Sequence, residues 1–339
     1  KTIPVQIQID ASEPTGPLKP IWRFFGADEP NYAYMKQGSE LLGELGELKK
    51  DEVFFRTHSL LTTGKGEHGL KWGSTNAYTE DAAGNPIYDW TIVDRIFDTY
   101  REKGVRPYVQ IGFMPQALST KPEPYQHEWR PGFPYNDIYT GWAYPPKDYK
   151  KWGELIYQWV KHSVARYGKK EVESWYWEVW NEPNSAYWKG TQAEFFKLYD
   201  YSADAVKRAL PTAKIGGTDI TGGGMKFQDA FLKHCLFDTN YVTKKIGSPL
   251  DLILFHAKGS PKLEQGKVVM SASLHFPFAH CKGVEIVPYR HRLAMQRFAS
   301  LLQIGQQGFT HLMAQSTPLN PSEPIALPWS QDFKALHLL

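Results

Sequence analysis

Trp180-Asn181-Glu182-Pro183 combines the residue types and spacing most able to do chemistry in this chain. The quartet ends the stretch Ser174-Trp175-Tyr176-Trp177-Glu178-Val179-Trp180. Its aromatic and β-branched content favours a pleated, half-buried strand that stops at the proline. A carboxylate set among that many rings at a strand's carboxyl end loses solvation, and its pKa is expected to rise. An acid that stays protonated near neutral pH can hand its proton to a leaving-group oxygen. Beside it, the Asn181 amide can hold a sugar hydroxyl next to the reacting carbon. The plain structural alternative is a strand end whose Glu182 caps the next helix.

Three further segments put polar or aromatic groups at predicted strand ends: Arg56-Thr57-His58, Gly112-Phe113-Met114-Pro115 and Phe255-His256-Ala257-Lys258-Gly259. Singly, each is more often structural: a strand-end His commonly satisfies hydrogen bonds, and Lys258 reads as a solvated side chain. Placed together on one face of one sheet, they form a candidate site.

Alternating elements would have to position these groups. Strands are expected over 21–25, 53–58, 105–112, 175–180, 213–217 and 250–256, and helices over 36–49, 92–103, 149–167, 192–210 and 226–237. Gly104 and Gly168 close two of the helices. Such alternation implies parallel strands with crossover helices. Both a barrel and a doubly wound sheet place chemistry at carboxyl ends of strands. No Gly-rich phosphate loop follows the first strand, so a (β/α)₈ TIM barrel is the preferred fold. Residues 1–18 alternate apolar and polar and break at Pro14, Gly16 and Pro17, as one separate amphipathic strand.

Composition narrows the class. With 339 residues, 42% apolar and 22% charged, the chain is of ordinary globular make-up, and a formal charge of +3 gives no case for nucleic acid or an anionic membrane. Aromatic residues, at 14%, are in excess. They suit stacking on sugar rings and equally a large aromatic core. Cys235 and Cys281 alone exclude a disulfide framework and a four-cysteine zinc site. No run of 18 apolar residues occurs. The start at Lys1, with neither Met nor an apolar leader, reads as a processed or trimmed chain, with a periplasmic or secreted location as the expectation.

Taken in order, Arg56-Thr57-His58, Gly112-Phe113-Met114-Pro115, Trp180-Asn181-Glu182-Pro183 and Phe255-His256-Ala257-Lys258-Gly259 resemble motifs of glycoside hydrolase family 39, its bacterial β-xylosidases above all. Phe24-Phe25-Gly26-Ala27-Asp28-Glu29-Pro30-Asn31-Tyr32 and Tyr88-Asp89-Trp90 are similar to the same group. The likeness runs over about residues 1–270. Asn-Glu-Pro by itself would indicate only the wider clan of barrel glycosidases. The resemblance implies a barrel over 19–270, with 1–18 joining an accessory β-sandwich and 271–339 atypical. It implies retaining, exo-acting hydrolysis of β-xylosidic bonds in short xylo-oligosaccharides, a small carbohydrate as the partner, and neither cofactor nor metal. Glu182 would be the general acid/base, Asn181 the partner of the sugar 2-hydroxyl, His58 and His256 sugar contacts, and Phe113 part of the subsite wall.

The pattern breaks near the end. The family's nucleophile is a Glu after a Gly at the end of the seventh strand, yet no Gly-Glu pair follows residue 256. Glu285, after Val284, is the only reasonable substitute. Just four acidic residues lie beyond Phe255, and periodicity fades past Met270, although 292–303 could form one helix. A shifted reading frame beyond about Met270 would explain both. Two alternatives to the exo-glycosidase stay open: a carbohydrate-binding relic without turnover, and an endo-acting xylanase or cellulase of the same clan.

Overall fold

The computed structural model describes residues 12, 16, 22–66, 73–128, 132–256, 260–265, 267–271 and 285–288. In chain order the regular elements are β1 (Phe24–Ala27), α1 (Lys36–Leu48), β2 (Val53–Thr57), β3 (Tyr78–Glu80), β4 (Pro86–Tyr88), α2 (Thr91–Glu102), β5 (Val105–Ile111), α3 (Tyr149–Tyr167), α4 (Lys169–Val172), β6 (Tyr176–Val179), α5 (Gln192–Ala209), β7 (Lys214–Ile220), α6 (Met225–Phe237), β8 (Leu252–Phe255), β9 (Ser260–Glu264), β10 (Lys267–Ser271) and β11 (Glu285–Pro288). Seven of the strands form one sheet in the order β1-β2-β5-β6-β7-β8-β11, with every neighbouring pair parallel. This is the sheet of a partial (β/α)₈ barrel. The unit that contains it covers 24–256 and 274–291. A second unit takes in the remainder, and its described part includes the antiparallel β9–β10 hairpin.

Local sequence accounts for most of these elements. In α2 the buried residues are Val93, Ile96, Phe97 and Tyr100, the i, i+3, i+4, i+7 stripe of an amphipathic helix. Gly104 follows with φ 73, a conformation a side chain would disfavour. Asp148 accepts from the Lys150 and Lys151 amides to cap α3, and Thr191 with Glu194 forms a reciprocal capping box on α5.

Strand alternation divides the aromatic residues between two layers. Phe24, Phe54, Tyr108, Tyr176, Leu252 and Leu254 pack together as one buried cluster, with Phe54 and Tyr176 ring centroids 4.9 Å apart. Trp175 and Trp177 point the other way, 5.4 Å from Phe97 of α2 and 5.6 Å from Trp159 of α3. The close approach of β7 to β8 depends on Gly216, where a Cβ would lie 2.2 Å from the Leu252 carbonyl oxygen.

The sequence expectations need four adjustments. β1 begins at Phe24 and not at 21, and β7 runs on to Ile220. A hairpin, β3–β4, forms where none was expected, because three-residue strands show no period. Its turn is held by Asp81, which accepts from the Ala83 and Asn85 amides and the Asn85 side chain. Beyond Met270, where periodicity fades, β11 supplies a seventh strand to the sheet over the strand-like segment that holds Glu285. The strand expected over 1–18, the helix over 292–303 and most of 271–339 lie outside the described residues.

Candidate active site

The same alternation that buries the rings sends two charged groups into the sheet's interior face. Arg56 on β2 and Glu178 on β6 are both fully buried. Arg56 Nε donates to Glu178 Oε2 at 2.8 Å, and its Nη2 also pairs with Glu178 Oε1. Nη2 lies 2.6 Å from Asp219 Oδ2 and donates to Asn181 Oδ1 at 3.0 Å, while Nη1 donates to His58 Nε2 at 2.6 Å. The planar fork of one guanidinium thereby gathers groups from β2, β6 and β7. It also orients Asn181, whose Nδ2 has no protein partner among the described residues.

Asp219 reaches this cluster through a β-bulge. The β7–β8 register slips between Thr218 and Ile220, and Asp219 is the extra residue, with φ 49. Thr218 donates its hydroxyl to Gln228 on α6, whereas Asp219 turns towards Arg56 and His256. Trp180 and Glu182 also carry positive φ, 70 and 45. Side chains in that region cost roughly 1–3 kcal/mol each and persist where the surroundings over-determine them. Here the Trp180 amide donates to the Ile111 carbonyl and the Glu182 amide to the Asp219 carbonyl, both at 3.0 Å, and the His256 amide donates to Ile220 at 2.8 Å.

These bonds leave the Glu182 carboxylate beside His256. Oε1 lies 2.6 Å from His256 Nδ1, and His256 Nε2 lies 2.8 Å from Asp219 Oδ2. Burial alone would lower the His256 pKa, but the Asp219 and then the Glu182 carboxylates outweigh it and raise it to about 9. His58 behaves oppositely: burial, then the Arg56 charge, lower it to about 3, so this ring is a neutral acceptor. Burial pushes Glu178 up despite Arg56, whereas His256 and Arg56 hold Asp219 below the usual carboxylate range despite burial.

An aromatic wall stands next to this cluster. The Phe113 ring centroid lies 5.8 Å from His58, 4.7 Å from Trp142, 5.0 Å from Trp180 and 5.7 Å from Tyr187. Tyr187 in turn faces His58 at 6.4 Å and Tyr139 at 5.3 Å. Among the described residues, no three His, Cys, Asp or Glu side chains gather as metal ligands would.

All five expected site residues therefore meet at one end of the sheet. One detail differs from expectation. Trp175 and Trp177 do not surround Glu182 but face the helices: Trp177 is on the outer face of β6 and Trp175 comes just before that strand. Arg56 had a visible signal, a lone cation directly after the apolar run Val53-Phe54-Phe55. Asp219 had none, since a bulge leaves no mark in the local pattern. Lys258 lies outside the described residues.

β11 bears on the missing second carboxylate. It is the seventh strand of the sheet, and Glu285 is its first residue, paired in register with Leu252. It lies three residue steps from Pro288 at the carboxyl end, about 10 Å of strand. Glu182 follows the carboxyl end of β6, whereas Glu285 opens β11 at the amino end of the parallel strands.

A partial (β/α)₈ barrel with an Asn-Glu pair at a strand's carboxyl end belongs among barrel glycoside hydrolases. Residues 5–280 match glycosyl hydrolases family 39, and the chain is a member of that family. It is 39% identical over 173 residues to a beta-xylosidase of Geobacillus stearothermophilus, covering 50% of this chain and 32% of that protein. A beta-xylosidase of Caldicellulosiruptor saccharolyticus is 40% identical over 166 residues, 48% of this chain and 30% of the relative. Among solved structures, a monomeric beta-xylosidase from Caulobacter crescentus CB15 shares 26% identity at a TM-score of 0.55, covering 78% of this chain and 48% of that one. The family 39 enzyme from Xanthomonas axonopodis pv. citri gives 26% and 0.57, over 82% and 49%. The chain thus spans about a third of these curated relatives and about half of these solved chains.

Proposed function

We propose that the chain provides the acid/base side of a retaining exo-glycosidase that releases xylose from short β-xylosides. One observation carries this reading. Of the three carboxylates that Arg56 and His256 gather, Glu178 and Asp219 are wholly buried, and only Glu182 has accessible surface, 16% of its side chain. Its Oε2 has no protein partner among the described residues and is the oxygen able to meet a leaving group. Protonated Glu182 gives its proton to the departing glycosidic oxygen, then takes one from the water that frees the sugar. Asn181, held by Arg56, offers Nδ2 to the 2-hydroxyl. His58, His256 and Phe113 line the sugar position. The relatives named beta-xylosidase support the choice of sugar.

Retention requires a second carboxylate roughly 5–5.5 Å from the first. The register position of Glu285 argues against its filling that role, and the family match ends at residue 280. Both facts favour a second reading, sugar binding without turnover. Assays on xylosides separate the two. In the enzyme, Glu182→Ala should depress hydrolysis of xylobiose far more than that of an activated aryl β-xyloside, which needs little protonation. Equal loss on both substrates refutes the acid role. Xylose binding with no turnover of either substrate establishes the second reading.

A further inference from the structure

We infer that Asp219 is a positioning residue for the acid/base: it holds His256 as a cation whose Nδ1–H donates permanently to Glu182 Oε1, which confines proton traffic to Oε2. This role rests on the reading of Glu182 as acid/base and adds a residue to it. Glu182 Oε1 lies 2.6 Å from His256 Nδ1, and His256 Nε2 lies 2.8 Å from Asp219 Oδ2, an ion-pair distance. Carboxylates on both sides of one ring favour its protonated form.

Asp219 acts on Glu182 by a second route as well, because its backbone carbonyl accepts the Glu182 amide at 3.0 Å. A bulge and a positive φ are needed to aim it there, and both features recur where a strand must redirect a functional side chain. It does not reach substrate itself, since it is fully buried between Arg56 and His256.

The charges around the ring are consistent with this role. His256, on β8's end, faces Glu182 from the segment after β6 and Asp219 from β7. Arg56 and Glu178 form the next layer, and His58 is neutral there. Asp219 and His256 together are an ion pair of no net charge. The ring can therefore donate to Glu182 without placing a net positive charge against an acid that must release and recover a proton. Over the two chemical steps the balance closes on Oε2. Its proton goes to the leaving oxygen, and one proton returns from the attacking water, while Nδ1–H stays in place.

Ring nitrogen shifts of ¹⁵N-histidine-labelled chain, assigned with His256→Gln, test this directly. In the unmodified protein, His256 should show both nitrogens protonated at pH 7 and titrate near pH 9. In Asp219→Asn the midpoint should fall by about 1–3 pH units, the effect of one close opposite charge. In Asp251→Asn, which removes a half-buried carboxylate that pairs with Lys207 and accepts from the Ile215 amide, it should not move. A His256 ring that is neutral at pH 7 in the unmodified chain overturns the inference, and needs no variant to fold. An unshifted midpoint in folded Asp219→Asn overturns it too. If β-xylosides are turned over, the alkaline limb of kcat should shift with the His256 midpoint, and KM should change less. Turnover with a limb that ignores Asp219→Asn refutes the inference and spares the functional reading. A His256 that titrates as expected in a chain without turnover refutes the functional reading and leaves the Asp219–His256 coupling intact.

Discussion

Replacing Arg56 by Met should be among the most damaging single changes in this protein. Methionine keeps most of the apolar stem but removes the charge that meets Glu178 twice, Asp219 once, and the side chains of Asn181 and His58. All these groups are almost wholly shielded from water, so none can exchange its lost partner for solvent. Breaking one partner out of a buried ion pair costs about 3–5 kcal/mol, because the remaining charge stays desolvated. Set against about 5–15 kcal/mol for a whole domain, that is a fifth of the total or more. Urea unfolding followed by tryptophan fluorescence measures it. Arg208→Met provides the contrast: its helical i,i+4 pair with Asp204 is exposed and should be worth about 0.3–0.5 kcal/mol. The double variant Arg56→Met/Glu178→Gln should recover part of the loss, because one orphaned charge is removed, giving a coupling of about 0.5–3 kcal/mol. A cost below about 1 kcal/mol for Arg56→Met, or strict additivity in the cycle, would refute the idea that this guanidinium is what holds the carboxylates together.

Two other outcomes are expected. Stability should fall as pH rises from about 6.5 to 9, because His256 loses its contribution there and Glu178, pushed up by burial, has lost its own by about 7. His256, raised to about 9 from 6.5, contributes fully below pH 6.5 and loses that contribution as pH rises through 9; His58, lowered to about 3, contributes fully above pH 6.5 and loses it as pH falls towards 3. Urea midpoints that hold steady or rise between pH 6.5 and 9 would contradict this. Separately, the coding DNA beyond the codon for Met270 should contain, in another frame, a strand ending in Gly-Glu; its absence from all three frames would end the shifted-frame explanation of the last segment.

The legible parts of the fold were those written in local periodicity. The stripe Val93, Ile96, Phe97, Tyr100 announces α2, and the run ending at Pro183 announces β6. Parallel order followed from the alternation of such segments, and with it the placement of His58, Phe113, Asn181, Glu182 and His256 at one sheet end. The place of β11 in the sheet was not legible because its neighbours along the chain show no alternation of strands and helices, and the hairpin β3–β4 because three-residue strands show no period.

By itself, then, the sequence determined that strands and helices alternate, that Asn181 and Glu182 end one strand, and that other strand ends would meet them. Those are consequences of neighbour-to-neighbour chemistry: propensity, spacing and turn residues. Only the tertiary structure decided which charges face one another. Arg56 is 122 residues from Glu178 and 163 from Asp219, and a bulge turns Asp219 inward where an unbroken ladder would alternate its faces regularly. No local rule reports a pairing of that span, because it exists only once the strands lie side by side and water has been excluded from between them.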